Sequence, residues 1–133
     1  MSGVLVVRYL LANDATLTAS VPSAKIMMGV IPLNTVLPAI SVMQVSGVRR
    51  NTVAMTSTSA LVTDRVQITV MALTYPSQKS ILALVRAALP VSRGTVNGIV
   101  VDSIVHEGDG PDFFDAGLTI YMQPLDVMVR FTR

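Results

Sequence analysis

The sequence predicts an α+β domain: a four- to five-stranded, mostly antiparallel sheet with two helices packed on one face, plus long projecting loops. Three observations carry that expectation. Within Thr63–Leu89, Val66, Ile68, Val70 and Ala72 alternate with Arg65, Gln67, Thr69 and Met71, the two-residue period of a strand with one apolar face. Directly after it, Ile81, Leu82, Val85, Ala88 and Leu89 recur at helical spacing, with Gln78, Lys79 and Arg86 facing away. Beyond Pro90 further alternating segments follow one another, and consecutive strands pair antiparallel. At 133 residues and 14.2 kDa the chain reads as one domain, 1–133, able to bury roughly two-thirds of its unfolded surface.

The elements follow in order. Gly3–Leu11 satisfies either a helical or a strand period; Ser2 as a cap and the following Asn13-Asp14 favour a helix. Asp14 is placed to cap a short helical turn running to Ser20. Pro22, Gly29, Pro32 and Pro38 then punctuate an irregular crossing with a short strand near Ile26–Val30. Ile40–Ser46 is a strand closed by Gly47. Val48–Leu61, rich in Ser and Thr, reads as a long connection or a projecting hairpin arm, and such loops are usually functional or mobile. The strand and helix above come next, separated by Tyr75-Pro76-Ser77: proline suits a first helical turn and Ser77 can cap it.

Val91–Gly98 is a turn-rich link and Ile99–His106 another strand. In the loop His106–Gly117, Gly108, Gly110 and Pro111 exclude regular structure. Leu118, Ile120 and Met122 begin the last strand, Pro124 marks an edge, a bulge or a break, and Val127, Val129 and Phe131 resume the alternation. One sheet face is covered by helix. Met71, Leu73, Val100, Ile104 and Met128 are assigned to the other, the apolar surface an oligomer would use.

Composition points the same way. The chain is 51% hydrophobic and only 14% charged, with a mean hydropathy of +0.60, whereas about 25% charge is usual. Either a monomer exposes a surface rich in Ser, Thr, Asn and Gly, or neighbouring copies cover much of it. Two interfaces of ~800 Å² each would hide about a quarter of the ~6,800 Å² surface of such a monomer, and the oligomer is favoured. The net charge of +2 and the scatter of ten Lys and Arg along the chain do not predict a dedicated nucleic-acid surface. The absence of cysteine excludes a disulfide framework and a thiolate metal site, and suits a reducing compartment. No basic residue precedes the first apolar run, Arg8 interrupts it, and no stretch reaches ~18 apolar residues, so neither a signal peptide nor a membrane span is expected.

Little in the chain suggests catalysis. His106, Glu107, Asp109, Asp112 and Asp115 form the one acidic cluster, but their spacing does not match a calcium loop, and a two-metal site would draw carboxylates from separate strands. A solvated turn or a protein contact is the favoured reading over a metal-dependent hydrolase. There is a single histidine, no G-x-S-x-G and no phosphate-binding glycine motif. No enzyme activity, cofactor or metal is expected. The charges are segregated instead: Arg49 and Arg50 stand in the first long loop and the carboxylates in the second, which either meet within one chain or dock head-to-tail between copies.

Leu37-Pro38-Ala39-Ile40-Ser41-Val42, Val45-Ser46-Gly47, Arg65 to Val70 running through Tyr75 into Val85-Arg86-Ala87-Ala88-Leu89, and the ending Tyr121–Val129 resemble the tail-completion (tail-terminator) proteins of long-tailed bacteriophages. The resemblance covers about residues 20–131. It implies an α+β virion subunit that forms a ring, typically a hexamer, at the head-proximal end of the tail tube. Its partners would be further copies of itself, the tail tube protein and the head–tail connector or stopper protein, with DNA passing through the lumen unread. Assembly would take place in the host cytoplasm. Pro124 and the sparse surface charge depart from the family pattern. Arg49, Arg50, Asn51, Met55, Glu107, Asp109, Asp112 and Phe113 are the candidate subunit and tube contacts. Two alternatives stay open: another neck or tail subunit (a stopper or tube protein), or an oligomeric binding module unrelated to phages.

Overall fold

The computed structural model describes residues 2–29, 38–50, 61–89, 94–96, 98–117 and 120–132. In chain order these form helix α1 (Ser2–Ala12), helix α2 (Ala15–Ser20), a 3-10 turn (Ser23–Lys25), strand β1 (Ile26–Met28), β2 (Ala39–Arg50), β3 (Leu61–Ala72), helix α3 (Tyr75–Ala88), β4 (Gly94–Val96), β5 (Ile99–Asp109), β6 (Phe113–Asp115) and β7 (Ile120–Thr132). The strands make one sheet in the order β1-β2-β3-β7-β5-β4, with β6 also on β7. Only β1 and β2 run parallel; the other pairs are antiparallel. The α+β class stands, with seven strands among the described residues where four or five were expected and three α-helices where two were.

The alternation read in β3 is what sets the layers. Val62, Asp64, Val66, Ile68, Val70 and Ala72 are buried, and the residues between them are half-exposed. The register carries that inner face outward to Ile40 and Val42 on β2, to Leu125, Val127, Val129 and Phe131 on β7, and to Val101 and Ile104 on β5. Ile104, expected on the open side, is therefore in the core: a bulge between Val101 and Ser103 shifts the alternation of β5 by one residue.

Helices α1 and α3 lie on this inner face, and α2 packs against both of them. Val4, Val6, Val7 and Leu11 of α1 pack over β1–β3, while Ile81, Leu82, Val85 and Ala88 of α3 pack over β3 and β7. Asp14 caps α2 as expected, accepting the Leu17 N–H at 3.0 Å. Ser2 is already helical. The N-terminal end of α1 is instead held by Asp64 on β3, whose Oδ2 accepts the Gly3 N–H at 3.1 Å. A carboxylate there satisfies one orphan donor and sits at the positive end of the helix dipole.

Several sequence expectations are corrected. Gly47 does not close its strand; β2 passes through it to Arg50. Its role is space, since a Cβ at Gly47 would stand 2.7 Å from Asp64 Oδ1, and one at Gly3 2.7 Å from Asp64 Cβ. The two glycines make room for one buried carboxylate. The cap of α3 is Thr74, whose Oγ1 accepts the Ser77 N–H at 3.3 Å, so Ser77 lies inside the first turn beside Pro76. Gln78 does not face away but is fully buried at the head of the apolar stripe.

The second loop is largely strand. β5 continues to Asp109 because a bulge between His106 and Gly108 absorbs the glycine, at φ 148°, and β6 follows at Phe113. β7 runs unbroken through Pro124. The Pro124 carbonyl accepts the Gly110 N–H at 2.8 Å, so the edge where a donor is missing faces the gap between β5 and β6. The ladder to β3 loses nothing. The hairpin reading of Val48–Leu61 holds at its base, where Arg50 pairs with Leu61, while residues 51–60 lie outside the described residues, as do parts of the link at 90–93 and 97.

Candidate interaction surfaces

The face of the sheet away from the helices stays half-buried or exposed along β3, β5 and β7. Cross-strand register orders it into rows. Met71 and Met122 stand beside Phe113, Arg65 and Met128 beside Val105, and Thr63 and Arg130 beside Ser103. Toward β2 the same face adds Met43 and Val48, 43% and 54% exposed. Leu73 is exposed just past the end of β3, and Val100 closes the face at the far end. Long, unbranched methionines make such a face adaptable to a partner's relief.

One ion pair marks its middle. Arg65 donates from Nε and a terminal nitrogen to Asp126 Oδ2 at 3.2 and 2.7 Å, a bond that raises the affinity of Arg65 for its proton. Neither residue is among the contacts expected from sequence. They are 61 positions apart, and only the β3–β7 register brings them within reach.

A second surface forms where α3 meets the β5–β6 connection. Lys79 Nζ donates to Asp112 Oδ1 at 2.8 Å and to Gln123 Oε1 at 2.5 Å, and Tyr75 Oη donates to Asp112 Oδ2 at 2.9 Å. Lys79 and then Tyr75 hold the Asp112 carboxyl below its ordinary value. Gln123 Nε2 donates to the Gly110 carbonyl at 3.0 Å, and Arg86 forms an ion pair with Asp109. Around this latch Tyr121 packs against Tyr75 at 5.8 Å and Phe114 at 4.6 Å between ring centroids. Phe113 and Phe114 are each about half exposed. With Tyr75 and Tyr121, four of the chain's six aromatic residues gather at this end of the sheet, and exposed aromatic clusters are what protein interfaces anchor on.

The predicted site residues are thus dispersed. Glu107 is exposed on β5; Asp109 and Asp112 are turned onto α3; Phe113 is exposed on β6. Arg49 and Arg50 end β2, and Asn51 and Met55 lie outside the described residues. Among the described residues no three His, Cys, Asp or Glu side chains converge as a metal site would require. His106 Nε2 lies 3.1 Å from the Leu89 carbonyl oxygen, a contact that ties β5 to the end of α3.

The family model for tail completion protein gp17 matches residues 6–114. The chain belongs to that family. No curated protein matches the sequence. Among solved structures, a chain from the virion of a native gene transfer agent particle is similar in fold, with a TM-score of 0.73 and 17% identity, covering 98% of this chain and 94% of that one. Family membership makes the protein a structural component of a phage-type tail, and the resemblance read from sequence is correct at that level.

Proposed function

We propose that copies of this chain close into a ring, a homo-hexamer, on the head-proximal end of the tail tube, where the ring stops tube growth and joins the tail to the head connector. The observation that carries this is the helix-free sheet face of a tail-completion-family subunit: apolar rows of Met, Val and Phe stand open on a protein with few charges to keep them wet. Association buries them. Capping is then geometric. One end of the ring accepts the last tube ring, the other end lacks the tube's self-complementary surface, and many subunit contacts act together. No step of this requires catalysis, a metal or a cofactor, and DNA would pass the lumen without being read.

Negative-stain microscopy of the purified protein, alone and added to polymerising tube protein, tests the proposal. Discrete rings and shortened tubes are expected. Long tubes from this chain alone would make it a tube subunit instead. A monomer at every concentration that leaves tube length unchanged would overturn the proposal.

A further inference from the structure

Methionine is partitioned in this molecule. The chain has eight methionines and neither cysteine nor tryptophan. Among the described residues the core is built from Val, Ile, Leu, Ala and Phe131, and no methionine enters it. Met27 and Met28 stand on β1, half-buried and exposed. Met43, Met71, Met122 and Met128 stand on the helix-free face of the sheet, Met43 exposed and the other three half-buried. Register gathers these four. Met71 pairs with Met122, Met43 lies across from Gln67, and Met128 lies across from Arg65. All four therefore fall between the rows of Arg65 and Met71, a span of about 20 Å along β3.

In a chain without cysteine, the thioether is the side chain that a hydroperoxide oxidises first. The sulfur lone pair takes one peroxide oxygen, the O–O bond breaks, and the other oxygen leaves as water. Sulfur is oxidised to the sulfoxide and the peroxide is reduced. The product is polar, an acceptor with no donor of its own. Placed in a core it would disrupt the packing, but the core described here holds no methionine to oxidise. On the outer face it sets acceptors beside Val48, Val105 and Phe113, where Arg65 is already engaged by Asp126. A partner covering that face would have to strip water from those oxygens.

We propose that Met43, Met71, Met122 and Met128 form an oxidation site through which a hydroperoxide turns off association of the sheet face while leaving the fold intact. Fold and association separate because the sulfurs lie on the face and not in the core. The inference rests on the ring proposed above and names a chemical control of its contact face. Assembly shields the four sulfurs, so the switch acts on free subunits and not on a finished ring.

Hydrogen peroxide treatment of dilute protein, with peptide mass mapping of the sulfoxides, tests it. Circular dichroism melting should be nearly unchanged after the four methionines are converted. Sedimentation and negative-stain microscopy should then show self-association weaker by about tenfold or more. Methionine sulfoxide reductase with a dithiol, which removes the oxygen as water and closes the dithiol to a disulfide, should restore the rings. The variant Met43→Leu/Met71→Leu/Met122→Leu/Met128→Leu keeps an apolar face without sulfur, and its rings should survive peroxide. The reductase arm needs no variant and carries the test if this one does not fold. Wild-type rings that form equally well with all four methionines converted would overturn the inference while leaving the ring standing. So would a melting transition lost together with association, or a folded leucine variant as sensitive to peroxide as the wild type. Untreated protein that is monomeric and fails to cap tubes would defeat the ring proposal, and this inference with it.

Discussion

The two faces of the central sheet are made from the same strands by the same alternation, yet they have different fates. On the inner face of β3, Val66, Ile68 and Val70 are completely buried under α1 and α3. On the outer face, Arg65, Gln67 and Thr69 meet no helix and remain half-exposed, flanked by methionines and by the Arg65–Asp126 pair. Alternation alone makes a strand two-sided, but it does not say which side will be covered, or by what. Here the helices seal one side and leave the other for other molecules.

The largest effects should distinguish the faces. Ile68→Ala removes a side chain with no solvent contact and should cost about 2–5 kcal/mol in urea unfolding. Met43→Ala, on the outer face of dilute protein, should stay within about 0.5 kcal/mol. Equal losses would mean that the outer face is already covered within one chain.

The inner face is not uniformly apolar, which sharpens the comparison. Asp64→Ala should cost about 1–3 kcal/mol by leaving the Gly3 N–H at the end of α1 without its acceptor. Gly3→Ala should be destabilising for a different reason, because its methyl would run into Asp64. Gln78 is the opposite case. It is fully buried and neither side-chain polar atom has a partner among the described residues, so Gln78→Leu should raise stability by about 1 kcal/mol, read as a higher urea midpoint. A lower midpoint would show that the amide is satisfied in solution.

The smallest effect is electrostatic. Lys79 and Tyr75 depress the Asp112 carboxyl below its ordinary 3.8, so its contribution is present above that value and is lost as pH falls through the lower folded-state value. Lys79 is raised above its ordinary 10.5, so its share is complete below that and disappears as pH rises past the folded-state value. Between those limits the latch should be indifferent to pH. NMR titration should find the Asp112 midpoint below 3.8 and Lys79→Ala should move it upward; a midpoint that stays put would place the latch's strength elsewhere.

Much of the fold was legible because its signals are local. The β3 alternation, the α3 stripe from Ile81 to Leu89 and the Asp14 cap each depend on residues a few positions apart. Where a residue type was taken alone, the reading failed. By type, Gly47 reads as a strand end, Gly108 as a loop residue and Pro124 as an edge, a bulge or a break, yet each sits inside a strand because its neighbours accommodate it: Asp64 needs the space beside Gly47, a bulge absorbs Gly108, and the Pro124 edge without a donor faces a gap. The open-face set was right for Met71, Val100 and Met128 and wrong for Ile104, because a one-residue bulge flips a side chain to the other face.

What the sequence determined by itself was the alphabet of elements: period two or period 3.6, capped or broken, with too little charge for a fully wetted surface. Only the tertiary structure decided that Arg65 meets Asp126 and that Asp109 and Asp112 belong to α3. The physical reason is range. Periodicity is written within one turn or one pleat, whereas strand order and register are settled by packing between segments as much as 61 residues apart, which no local pattern encodes.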